Sequence, residues 1–138
     1  MGIQEFREYC EKHQNGNRLS QDSPNHRKIC DTILNNPILI GLRGVSYRYQ
    51  EVSLLEGKKK IGEIDMVLFD RNQEMYICEV KSGGKFRGAG RQLDREYNFI
   101  RTNFGVLPIR VYVRKKKGQD ITGEVRMPAI RDVFSLLD

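Results

Sequence analysis

Three short stretches carry residue types that could do chemistry together. Gly62-Glu63-Ile64-Asp65 opens an apolar run, Glu79-Val80-Lys81 closes the next, and Gln92-Leu93 follows in a segment with helical patterning. An acid on one strand, then an acid and a lysine two residues apart on its neighbour, suits metal-assisted hydrolysis of a phosphodiester. Two carboxylates would hold a hard cation, and an ammonium would face the phosphate.

The elements that must position these groups follow from the pattern. Ile61 to Phe69 and Met75 to Lys81 are apolar runs separated by the polar cluster Asp70-Arg71-Asn72-Gln73-Glu74. This predicts a β-hairpin. Centred on Asn72, it sets Asp65 opposite Glu79 and Glu63 opposite Lys81. Directly opposed residues share a face, with Cβ atoms roughly 5 Å apart. Ile64, Met66, Leu68, Tyr76, Cys78 and Val80 form the other, apolar face, while Val67, Phe69, Met75 and Ile77 continue the charged one. A slip of one residue would mix the two sets. The hairpin therefore reads as buried on both sides, with three acids and a lysine at one end. Such close carboxylates repel unless a cation or the lysine neutralises them. A structural ion pair between Glu63 and Lys81 near a sheet edge is the plainer reading of the same residues.

The rest of the chain supplies the layers. Ile3 to Lys12 reads as a helix with Phe6 and Tyr9 on one side, and His13 to Gln21 as a polar loop. Ser23-Pro24 starts a helix running to about Asn35, with Ile29 and Ile33 inward. Val45 to Leu55 reads as a strand, with Tyr47, Tyr49 and Val52 inward. Gly57-Lys58-Lys59-Lys60 turns it into the hairpin. Ser82 to Gly90, with four glycines, reads as a loop. Arg91 to Asn103 reads as a helix, Val106 to Arg114 as a strand, Lys115 to Gly118 as a basic turn, and Pro128 to Leu137 as a last short helix. The order predicts an α/β sandwich. A mixed central sheet, a three-strand antiparallel meander plus a further strand, would be flanked by helices.

At 138 residues the chain suits one domain. Its core would cover about 24–114, with 1–23 as an N-terminal extension and 115–138 as a C-terminal turn and helix. No apolar run is long enough for a membrane helix, and the start does not read as a secretory signal. The three cysteines, Cys10, Cys30 and Cys78, lack metal-ligand spacing, which suits a reducing cytosol. A net charge of +6 is a modest bias toward an anionic partner, although solubility alone would account for it.

The order of elements and the motifs resemble the PD-(D/E)xK nuclease superfamily. Asp65 matches the first acid and Glu79-Val80-Lys81 the acid-x-lysine. The pair is similar to archaeal Holliday-junction resolvases, and Gln92-Leu93 to the glutamine motif of RecB-like exonucleases. The resemblance covers roughly residues 24 to 114 and implies a restriction-endonuclease-like sandwich. Two positions depart from the pattern. Ile64 stands where the family name has proline. His26, spaced with Ile29 and Ile33, stands where many members carry a first-helix glutamate; Glu63, or a residue of the first segment, is a candidate to compensate for its charge. Tyr97 lies one residue from the family's tyrosine position, on the core stripe.

The resemblance implies hydrolysis of DNA with Mg²⁺ or Mn²⁺. Asp65, Glu79 and the Val80 carbonyl would be the ligands, Lys81 would orient water or stabilise the phosphate, and Gln92 would brace the site from its helix. For DNA binding, Arg87, Arg91 and Arg95 lie four apart and form one stripe if the helix starts early enough. Lys58, Lys59, Lys60, Lys85 and Arg114 to Lys117 are further candidates, each also readable as a solvated charge or an ion pair. A structure-selective endonuclease, acting as a homodimer on branched or generic duplex DNA, is the preferred reading. The competing ones are a RecB-like single-strand exonuclease, a non-catalytic DNA-binding or assembly protein on a decayed nuclease fold, and a nuclease subunit inactive alone.

Overall fold

The computed structural model describes residues 2–14, 24–81, 86–114 and 133–136. Its helices are α1 (Ile3–His13), α2 (Pro24–Asn35) and α3 (Phe86–Phe104). Its strands are β1 (Val45–Glu56), β2 (Lys59–Asp70), β3 (Met75–Lys81), β4 (Ile109–Arg114) and β5 (Val133–Leu136). Local chemistry sets several of these boundaries. Pro24 opens α2, where a missing N–H costs nothing. Gly105, at φ 69, ends α3 and returns its N–H to the Arg101 carbonyl. Asp70 closes the β2–β3 turn by accepting the Asn72 and Glu74 backbone N–H groups at 2.9 and 3.0 Å.

The strands lie in chain order, β1-β2-β3-β4-β5. The first three are antiparallel, and β4 and β5 join in parallel. A parallel neighbour needs a long crossover, and α3 supplies it between β3 and β4. The result is the expected α/β arrangement of a mixed sheet with helices packed against it.

Each face of the sheet has its own core. Met66, Leu68, Cys78 and Val80 pack with Ile29, Cys30 and Ile33 of α2. Val67, Phe69, Met75 and Ile77 pack with Phe6 and Cys10 of α1 and Leu93 and Ile100 of α3. The β2–β3 ladder keeps the expected register from Met66–Cys78 to Phe69–Met75. The helix expected in an N-terminal extension is thus part of the second core. The Tyr9 hydroxyl donates to the Ser53 carbonyl at 2.8 Å and accepts the Leu55 N–H at 3.0 Å, tying α1 to β1.

Four expectations are corrected. The glycine-rich segment is not a loop throughout: α3 begins at Phe86 and takes in Gly88 and Gly90. Glycine disfavours a helix by only about 1 kcal/mol per residue, which packing of the long amphipathic helix can offset. Val133–Leu136 is a strand beside β4, not part of a helix; residues 128–132 of that predicted helix lie outside the described ones. Tyr47 is 42% exposed rather than inward, because it lies near the end of edge strand β1 beside a register shift. Ile64 packs in the α1/α3 core rather than with Met66, because the pleat of β2 resets at the residue between them.

Candidate active site

Both strands of the β1–β2 ladder change face at one rung. Gln50 pairs with Met66 and Val52 with Ile64, so Glu51 lies across from Asp65. Glu51 has φ 53, in the left-handed region that an L side chain seldom adopts. Tyr49 and Val67 lie in the α1/α3 core on one side of this rung, and Val52 and Ile64 lie in the same core on the other. Strict alternation would put them on opposite faces. The pleat is therefore reset at Glu51 and Asp65, the rung that carries the first acid of the motif.

Asp65 is held from two directions. Its Oδ2 accepts the Val80 backbone N–H at 2.8 Å, across the gap between β2 and β3. The same oxygen meets His26 Nε2 at 3.3 Å, from α2. Behind it, the buried Glu79 carboxyl lies within the electrostatic reach of both Asp65 and Glu96. Asp65 and His26 are 15% and 17% exposed, whereas Glu79 and Glu96 are 1% and 2% exposed. The cluster thus opens toward solvent at Asp65 and His26 and is closed behind.

Burial first, then the charges of Asp65 and Glu96, raise the Glu79 carboxyl well above its ordinary 4.5. A raised carboxyl keeps its proton, and that proton can bridge two acids that would otherwise repel. Neighbouring Cys78 is pushed up as well, mainly by burial, so its thiol is unreactive. Against a carboxylate, which only accepts, His26 must carry a proton on Nε2. In the neutral ring Nδ1 is then an acceptor, and the Cys30 thiol lies 3.9 Å from it.

The other predicted residues fall into three groups. Gln92 is half-buried on α3, one turn before Glu96. Glu63 pairs with Ser53 of β1, and its carboxylate takes Lys60 Nζ at 2.7 Å. The β2–β3 ladder ends at Met66–Cys78, and Lys81 pairs in register with Arg114 of β4 rather than with Glu63. Lys58 and Lys59 are exposed at the β1–β2 turn. Arg91 and Arg95 are exposed on α3, and Arg87 shares that helix. Asp94 is held by Arg110 at 2.7 Å, and Arg110 also covers the Tyr97 ring. Lys85 and Lys115 to Lys117 lie outside the described residues, and Arg114 ends β4.

Sequence reasoning missed Glu96 and Glu51. Glu96 falls between Leu93 and Ile100 on the buried stripe of α3, and a charged residue at such a position was the available signal. Glu51, 5% exposed, gave none, since it is buried by the irregular rung.

Asp65, Glu79 and Glu96 are hard oxygen donors, and Glu79 Oε1 is buried without a hydrogen-bond partner. In kind they suit Mg²⁺ or Mn²⁺. In spacing they do not form an ion site: among the described residues no three His, Cys, Asp or Glu side chains are grouped to hold one ion.

No protein-family model and no curated protein matches the chain. Solved structures do. One is a repair endonuclease from Pyrococcus abyssi, at TM-score 0.53 and 18% identity, covering 72% of this chain and 40% of that one. A second is an EndoMS–dsDNA complex, at TM-score 0.49 and 19% identity, covering 72% and 39%. The chain thus spans less than half the length of either. The first likeness shows a fold shared with a repair endonuclease. No helix among the described residues is long and apolar enough to cross a membrane.

Proposed function

We propose that the chain is a divalent-metal-dependent deoxyribonuclease of the PD-(D/E)xK kind, a structure-selective endonuclease in preference to an exonuclease. The observation that carries this reading is the bond from the Val80 N–H to the Asp65 carboxylate, which ties the first acid to the strand that carries Glu79 and Lys81. The shared fold with a repair endonuclease supports it. Asp65 and Glu79 are the proposed metal ligands. Val80 turns its N–H toward Asp65, and in an extended strand the carbonyl of the same residue points the same way, so that oxygen is the third proposed ligand. When bound, Mg²⁺ or Mn²⁺ would lower the pKa of a water and polarise the phosphate.

The chain's own groups have separate tasks. Glu79 must release its proton before it can ligate. Glu96 backs it from α3, and His26 fixes the direction of Asp65. Lys81 is proposed to face the phosphate, and Gln92 to brace the site from the helix. DNA is the proposed partner, with a homodimer the proposed assembly on branched substrates.

A non-catalytic DNA-binding role on a decayed nuclease fold is the second reading. It is favoured by carboxyls that, among the described residues, are not grouped to hold one ion, and by His26 at the expected place of a glutamate. Labelled linear, single-stranded and four-way DNA, incubated with and without Mn²⁺, separates the two. Metal-dependent cleavage supports the first reading, and DNA binding without cleavage the second.

A further inference from the structure

The other end of the sheet carries a band of arginines that the acidic site does not use. Two adjoining surface cavities, about 280 and 440 Å³, lie beside the start of β1 and the β2–β3 turn. Arg71 lines both. Arg7 and Tyr47 line the first, and Arg43, Arg48 and Asn36 the second.

These arginines are gathered at one place, and, like Arg91 and Arg95 on α3, they have no ion pair among the described residues. Lys60 and Arg110 each meet a carboxylate at 2.7 Å. Among the described residues Arg7, Arg43, Arg48 and Arg71 make no ion pair with an acid. Asp70 lines the first cavity, but its Oδ1 serves the turn and its Oδ2 accepts the Tyr76 hydroxyl.

Several of the groups are held in place. Arg48 donates to the Leu34 carbonyl at 2.7 Å. Arg7 stacks 4.2 Å from the centroid of the Tyr47 ring, which is itself 42% exposed. Arg71 lies across Gly44, where an added Cβ would come within 2.9 Å of its Nε, and Gly44 already needs its positive φ of +66. Fixed guanidiniums match phosphate oxygens in a way that lysines do not.

We propose that this arginine band is a second nucleic-acid contact, seating the phosphate backbone of DNA apart from the acidic site. It rests on the nuclease reading only for the identity of the polymer. Asp70, at the band, is five residues from Asp65 along β2. That is roughly 17 Å, or about five base pairs of duplex. The separation is within the length of a short duplex.

The test is binding in EDTA, where nothing is cut, followed by fluorescence anisotropy with labelled duplex DNA over a salt series. Arg43→Ala/Arg71→Ala should weaken binding on the order of tenfold and make the log–log salt slope shallower by about 1.8, or 0.9 for each phosphate no longer neutralised. Arg43→Lys/Arg71→Lys should keep most of the slope. Circular dichroism checks folding, and Arg43→Glu, at an exposed position, carries the test if the double alanine variant unfolds. Unchanged affinity overturns the proposal. So does an equal loss in Lys12→Ala/Arg101→Ala, exposed positions outside every proposed DNA contact, which would make net charge the cause. Polyglutamate displacing the DNA as well as unlabelled duplex would point to an acidic protein and overturn it too. Arginine-dependent binding in EDTA by a protein that cuts nothing with Mn²⁺ would count against the nuclease reading and support this second contact.

Discussion

Val80 donates its backbone N–H to the Asp65 carboxylate at 2.8 Å, so the residue between the acid and the lysine of β3 holds the acid of β2. The first acid and the acid-x-lysine are joined by a hydrogen bond from main chain to side chain and do not depend on packing alone. Asp65→Asn keeps an oxygen for that bond but loses the charge. The variant should fold with a melting temperature close to wild type, since the Val80 N–H keeps its acceptor. It should not cut DNA, and calorimetry should show no Mn²⁺ binding. Wild-type cleavage by Asp65→Asn would remove Asp65 from the site.

The raised Glu79 carboxyl makes metal-free stability depend on pH. Folded Glu79 holds its proton above 4.5, where the unfolded chain has begun to lose it. The folded state then binds more protons, so stability falls as pH rises. The contribution is full below 4.5 and is lost as pH climbs through the raised folded value. Thermal melts in EDTA from about pH 5 to about pH 8 should show a decline in wild type that Glu79→Gln flattens. Parallel curves for the two proteins would mean that Glu79 is ionised in the fold.

How much of this could be read from the sequence depended on how local the cause was. The hairpin was legible because its turn chemistry at Asp70 and its alternating apolar faces lie within a few residues of each other. Asp65 and Glu79 follow from that register alone. Glu96 required knowing which face of α3 meets β3. The reversal at Glu51 is set by pairing across two strands and by a φ of 53 that nothing in the residue type announces. Gly88 and Gly90 read as loop because their local preference is outweighed by helix packing. Val133–Leu136 is a strand of four residues that pairs with distant β4, and no local pattern encodes such a partner.

His26 is expected to position Asp65. Its Nε2 links α2 to that carboxylate. His26→Ala should destabilise the fold by about 1 kcal/mol, because Val80 still serves the same oxygen. Cleavage should fall by about 10- to 100-fold, the usual range for a residue that orients a metal ligand. His26→Gln, which can donate from a similar reach, should recover part of it. Urea titration and cleavage rates of the pair decide the matter; full activity in His26→Ala would leave the histidine without a part in the reaction.

Phe6 tests whether α1 belongs to the domain. It is fully buried and lies 5.0 Å from the Phe104 ring and 6.3 Å from that of Phe69. Phe6→Ala should cost about 3–5 kcal/mol in urea unfolding. A loss under about 1 kcal/mol would be that of a peripheral surface helix.

Because α3 begins at Phe86, Arg87, Arg91 and Arg95 lie on one helix at four-residue spacing. Such residues are neighbours along a helix surface. Arg91 and Arg95 are exposed, and the nearby acid Asp94 is already bonded to Arg110. The stripe lies about 100° around the helix from Gln92 and Glu96, close enough to the acidic cluster for the same DNA to touch both. Replacing all three arginines by alanine should weaken duplex binding and make the log–log salt slope shallower by about 0.9 for each phosphate that an arginine had neutralised. Alanine at Lys115, Lys116 and Lys117 removes as much charge from residues outside the described ones, and serves as the control. Phosphate binding is local, so the two triple variants should differ. An equal weakening in both would show that net charge drives the association, and docking along α3 would have to be abandoned.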